Sequence, residues 1–232
     1  MIQLVHAKEC PMPRIKSEPA YMLSVLIAVL TVMASAGGLF IGDLYRDNLL
    51  VTSGWYGNDW VTLVVAVPML VAALILAMRG SRRAQLVWLG ILDYTLYNYA
   101  FYLFGAAFNS FFLVYAALFA LSIFALIFAL VKLDVEGISR RFRTSTPVKW
   151  IAGYMIFVAI GLTVVYVAQC IGFIINGQLP PIVTLTGHPT SVVFALDLSP
   201  VVPWFVLGAV WLWQRRPWGY VLSAIVNVKG AV

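Results

Sequence analysis

Charge is scarce in this sequence. Only 10% of its residues are Asp, Glu, Lys or Arg, against roughly 25% in a soluble domain. Together with 62% hydrophobic residues and a mean hydropathy of +0.95, this makes lipid rather than water the main solvent of the chain. Cysteine and histidine are almost missing as well. Cys10 and Cys170 fall on opposite sides of the expected membrane and are read as incidental thiols, and the only histidines are His6 and His188. Neither Cys-x-x-Cys nor His-x-x-x-His spacing occurs, so the sequence offers no ligand set for a metal or for a haem held by two histidines. A Walker-type glycine loop and a Gly-x-Ser-x-Gly elbow are also missing, which argues against ATP-driven work by this chain. No cofactor, metal or motif-defined catalytic residue is expected.

What the chain has in abundance is long apolar runs. A helix needs about 20 mostly apolar residues to cross a hydrocarbon core about 30 Å thick. Six runs meet that need: Tyr21 to Phe40, Trp60 to Met78, Ala84 to Phe104, Phe111 to Val131, Trp150 to Ile174 and Thr190 to Trp213. A seventh, Trp218 to Val232, is short and reads as the start of a span belonging to a longer protein. None alternates polar and apolar residues as barrel strands do, and helices satisfy their own backbone polar groups in lipid. The expectation is an all-α polytopic helical bundle, with a tail over residues 1–20 followed by one membrane domain over 21–232. The first run also imitates a signal peptide through Ala34-Ser35-Ala36, but its apolar character continues to Ile41, which favours an uncleaved helix.

Lys and Arg are confined to alternate connections. Of the 15 basic residues, all but Arg46 and Lys229 lie in the N-terminal tail or in the second, fourth and sixth connections. Because such residues are retained on the cytoplasmic side, the N-terminus is expected in the cytoplasm of a bacterial inner membrane. The same pattern accounts for the net charge of +6 without nucleic acid. The partner implied is the lipid bilayer, with the connection from Lys132 to Lys149 able to meet anionic headgroups. A small solute or ion is the further partner considered.

Ionisable groups within the spans carry the functional reading, since each costs about 2.5 to 3.5 kcal/mol at a helix centre on insertion scales. Asp93 is expected about 13 Å deep, Asp197 about 9 Å from the opposite surface, and Lys229 about 16 Å deep, close enough in depth to pair with Asp93. In GILDYTLYNYAFYLFG, Asp93 with Tyr97, Tyr94 with Asn98 and Asn98 with Tyr102 are helix-surface neighbours. Asp93, Tyr97 and Asn98 are therefore one candidate cavity wall, with Asp197, Ser199, Pro200 and Pro203 as a broken helix lining the other half of a route. The competing reading makes the same polar groups interhelical glue. Gly38 and Gly42 form a Gly-x-x-x-Gly pair expected to pack helices.

Three function classes follow: a transporter or channel-like protein for a proton, cation or small solute; a non-catalytic scaffold or partner subunit; and an intramembrane enzyme using His188, Ser191 and Asp197. The stretch GDLYRDNLLVTSGWYGNDW, with Asp43, Asp47 and Asp59, is read as an outer loop.

Overall fold

The computed structural model describes residues 19–232. The tail carrying His6, Lys8, Cys10, Arg14 and Lys16 lies outside the described residues. Among the described residues every regular element is helical: α1 Pro19–Phe40, α2 Leu49–Met78, α3 Arg82–Gly105, α4 Phe112–Val131, α5 Val135–Ser139, α6 Val148–Asn176, α7 Pro181–Thr186, α8 Val192–Trp213 and α9 Pro217–Gly230. This is an all-α bundle. Five helices, α1, α2, α4, α6 and α8, are long and apolar enough to cross a membrane.

The third apolar run of the sequence is the 24-residue helix α3, whose composition is more polar than that of the other five because it sits at the centre of the bundle. It packs against α2, α4 and α9 and against the start of α8, so its polar side chains meet protein on most sides. α1 packs on α4 and α2, and α6 packs mainly on α8. Only 6% of the most apolar stretch of α6 is buried, so this helix turns its apolar side chains outward.

Local chemistry sets the ends. Asn48, Ser81 and Ser191 each accept a hydrogen bond from a backbone N–H in the first turn of the helix that follows, relieving one orphan donor apiece. Gly177 and Gly187 close α6 and α7 in the left-handed conformation that glycine adopts freely. Two helices contain a π-helical turn, Thr62–Ala66 in α2 and Asp197–Val201 in α8. Pro68 follows the first, Pro200 lies within the second and Pro203 follows it. A proline cannot donate to the carbonyl four residues back, and the widened turn absorbs the mismatch.

Two expectations need correction. The stretch expected to be an outer loop as far as Trp60 is helical from Leu49, because Asn48 caps it there and Trp55 and Asp59 turn inward, while Leu49, Leu50, Tyr56 and Trp60 stay exposed; the connection shrinks to residues 41–48. Gly42 does not pack helices, since α1 ends at Phe40 and Gly42 lies in the exposed turn beyond it, with nothing within 4 Å of where a β-carbon would be. The close approach is made instead by Gly37, over which Phe111 lies, and by Gly38, against Asp59 and Tyr45.

Candidate functional site

α3 presents polar groups on two faces. One face carries Asp93 and Tyr97. The other carries Tyr94, Asn98 and Tyr102, one helical turn apart from each other.

The first face opens on a cavity of ≈450 Å³ bounded by α3, α4, α8 and α9. α4 and α8 make no substantial contact with one another among the described residues, and the space between them is this cavity. Its wall is mostly apolar, with Phe119, Trp204 and Phe205 contributing rings. Three polar side chains converge on it: Asp93, Tyr97 and Lys229. Lys229, brought in by the far end of α9, holds its Nζ 4.1 Å from the centroid of the Tyr97 ring, a cation–π placement. It is within electrostatic reach of both Asp93 and Asp197. The direct Asp93–Lys229 ion pair expected from depth does not form; the ammonium lies over the Tyr97 ring and interacts with the Asp93 carboxylate at longer range.

Asp197 stands behind Tyr97. It opens the π turn of α8, and its two carboxylate oxygens accept from the Tyr97 hydroxyl at 2.8 Å and the Tyr166 hydroxyl of α6 at 2.8 Å. Both oxygens of a buried acid thereby have partners, as membrane burial demands. Within the same turn the Ser199 hydroxyl donates to the Ala195 carbonyl at 2.6 Å.

Asn98 is not part of this wall. Its position on α3, one residue beyond Tyr97, turns it toward α2, where its side-chain oxygen accepts from the Asn58 amide at 2.6 Å. On the same face Tyr94 and Thr62 share a hydrogen bond of 2.7 Å between their hydroxyls. Tyr102 donates to Asp59 Oδ1 at 2.9 Å, and Tyr45 donates to Asp59 Oδ2. Asp59 is 3% exposed, so the residue assigned to an outer loop is a buried acid held by two phenols. Burial, with Tyr102 and Asp59 beside it, holds the Tyr45 hydroxyl well above the usual phenol range, which keeps it a proton donor. Close to Asp59 and Tyr102 lie the buried hydroxyls of Thr31, Ser35, Tyr99 and Tyr115, with Ser35 near both Asp59 and Tyr99 and Tyr115 near Tyr45, in contacts looser than full hydrogen bonds. Sequence reasoning missed this cluster because Asp59 lies outside the most hydrophobic window of its helix. The available signal was its spacing: Trp55 and Asp59 are one turn apart on one helix face, and an acid is too costly to expose to lipid unless turned inward.

A fourth acid organises the end of the bundle opposite the arginine-rich connections. Asp47 accepts from Trp55 Nε1 at 3.0 Å and from the Ala107 N–H at 3.1 Å, and pairs with His188 Nε2 at 3.2 Å. Asn48 donates to the carbonyls of Leu185 and Thr186, both at 2.9 Å. Residues 41–48 are thus tied to α2, to the end of α3 and to the connection before α8. The same bonds dismantle the acyl-transfer triad considered from sequence. His188 faces Asp47, Ser191 accepts from the Phe194 N–H at 3.3 Å as a helix cap, and Asp197 is clamped by two tyrosines. No nucleophile–base–acid relay links them.

Among the described residues no group of three or more His, Cys, Asp or Glu side chains is placed to hold a metal ion. No family model, curated protein or solved structure matches this chain.

Proposed function

We propose that this multi-pass membrane protein is a transporter or channel-like protein that handles a cation, a proton or a small polar solute at the cavity lined by Asp93, Tyr97 and Lys229. The observation that carries this reading is the convergence of an acid and a phenol of α3 with an amine of α9, two helices far apart in sequence, on one cleft of ≈450 Å³ between α4 and α8. Its volume and its mostly apolar wall with a few placed polar groups match the usual form of a small-molecule site. An ionisable group within a span is costly to keep, and its retention beside a cavity fits a solute or ion route. The π turn at Asp197 supplies the second element, a widened helix whose acid is coupled to the cavity through the Tyr97 hydroxyl. In this reading Lys229 acts as a resident cation that an arriving cation or proton displaces from the Tyr97 ring. The distribution of Lys and Arg supports a cytoplasmic N-terminus in a bacterial inner membrane.

The test is proton or cation flux into proteoliposomes, wild type beside Asp93→Asn. Loss of flux by at least tenfold in the variant, with the folded yield unchanged, is the expected outcome. Equal flux in both proteins, or none in either, sinks the proposal.

A second reading, a partner subunit in a larger membrane complex, is favoured by one feature, the outward apolar surface of α6. It predicts specific crosslinks from α6, on which Cys170 is exposed, and no flux from the purified chain.

A further inference from the structure

The arginine-rich end of the bundle carries two adjoining depressions that the solute cavity does not use. The first, ≈600 Å³, lies between the start of α3 and the connection after α5, and is lined by Arg82, Arg83, Arg141 and Arg143 with Ser81 and Thr146. Arg82 is held by Asp134 at 3.2 Å. Arg83, Arg141 and Arg143 make no ion pair among the described residues, so three guanidinium groups face this hollow uncompensated. The nearby Glu136 is engaged by Arg140 at 3.3 Å and does not neutralise them.

The second depression, ≈500 Å³, is a groove lined by side chains of α6 and α9, with Leu212 of α8 at its base. Its wall is mostly apolar, with Ile151 beside the rings of Trp150, Tyr154 and Tyr220. Phe142 and Thr146 line both hollows, so the two adjoin. Phe142 rests on Tyr220 with ring centroids 4.8 Å apart, forming the sill between them. Trp150 and Tyr154 are exposed, at the start of a helix whose outward surface is apolar, and tryptophan and tyrosine at helix ends favour the level of the lipid headgroups.

We propose that this compound site binds an anionic phospholipid, its phosphate among Arg83, Arg141 and Arg143 and one acyl chain in the groove between α6 and α9. Guanidinium groups recognise phosphate oxygens through paired, charge-assisted hydrogen bonds. Basic pockets between membrane helices take acidic headgroups by the same chemistry. The apolar groove adjoining the basic hollow is what distinguishes a lipid from a free anion: phosphate alone fills only the first depression, and an uncharged apolar molecule only the second. The bound lipid would fasten α6, which otherwise touches the bundle mainly through α8, to the α5–α6 connection and α9.

Native mass spectrometry and thermal melting of the purified full chain test this, using phosphatidylglycerol and phosphatidylcholine with identical acyl chains, and inorganic phosphate as the free anion. Phosphatidylglycerol is expected to stay bound and raise the melting temperature, more so with longer chains, and phosphatidylcholine to do neither. The Arg83→Gln/Arg141→Gln/Arg143→Gln variant is expected to bind phosphatidylglycerol at least tenfold more weakly while melting like the wild type without lipid. Since the three arginines are exposed or partly exposed, the wild-type comparison of lipids and chain lengths decides the matter should the variant fold poorly. Equal retention of phosphatidylcholine would leave only an apolar groove. Stabilisation by phosphate alone, without dependence on chain length, would leave only an anion site. Undiminished binding in the triple variant would remove the arginines from the site. Each of these three results overturns the proposal.

Discussion

Gly38 has no side chain, and a β-carbon placed there would run into the Asp59 carboxylate and the Tyr45 hydroxyl. Neither neighbour is free to give way, because Asp59 is also bonded to Tyr102, and Tyr45 is packed among the rings of Trp55, Tyr56 and Tyr102. Gly38→Ala is therefore expected to destabilise the fold by about 1–3 kcal/mol, the usual cost of overpacking. Gly42→Ala, in open space, is expected to melt like the wild type; thermal unfolding in detergent separates the two. From sequence these glycines formed one motif, and only the position of the helix end, a matter of a few residues, distinguishes their roles. Asp59 illustrates the same difficulty. Its side chain could be assigned to solvent or to the core only by knowing whether residues 49–60 are helical, and a segment with Gly54, Gly57, Asn58 and Asp59 has weak local helix preference. Tertiary packing against α1 overrides that preference.

At the scale of the element, α3 was the most legible part of the candidate site. Its i,i+4 polar pairs are real stripes, but the sequence could not say that the two stripes serve different neighbours. Asp93 and Tyr97 meet the cavity, whereas Tyr94, Asn98 and Tyr102 meet α2. That division depends on which helix lies on which side, and helix order around a bundle is set by packing rather than by periodicity. The seventh run proved more informative than its length suggested. α9 is buried along much of one side against α3, and its approach is permitted by Gly90, where a β-carbon would fall 2.5 Å from Val228 Cβ and 3.1 Å from the Ile225 carbonyl oxygen. Val228 adjoins Lys229. Gly90→Ala is expected to push α9 outward, lower stability by about 1–3 kcal/mol and withdraw Lys229 from the Tyr97 ring. Melting temperature and the fluorescence of Trp204, the tryptophan that lines the cavity, made the sole one of the chain by substituting the others, would report the two effects.

Across the whole molecule, composition and the alternation of basic connections gave the class of fold and the order of the helices along the chain. They could not give the contacts between helices that are remote in sequence, such as Tyr97 to Asp197 at a separation of 100 residues. The expected orientation is open to direct measurement. In a background with both cysteines replaced by serine, Gln178→Cys should react with a membrane-impermeant maleimide on intact cells, and Ser145→Cys only after permeabilisation. The reverse pattern would invert the assignment.

The central position of α3 also bears on how the chain enters the membrane during synthesis. This helix is too polar to be an easy guest in lipid, yet the partners of one face are made before it: Ser24 precedes Trp88 by 64 residues, Asp59 precedes Tyr102 by 43, and Thr62 precedes Tyr94 by 32. Its other face must wait. At about 5–20 residues per second, Asp197 emerges roughly 5–20 s after Tyr97. For that interval α3 is held by α1 and α2, which act as an internal escort, and a chain lacking those two helices should leave α3 outside the bilayer.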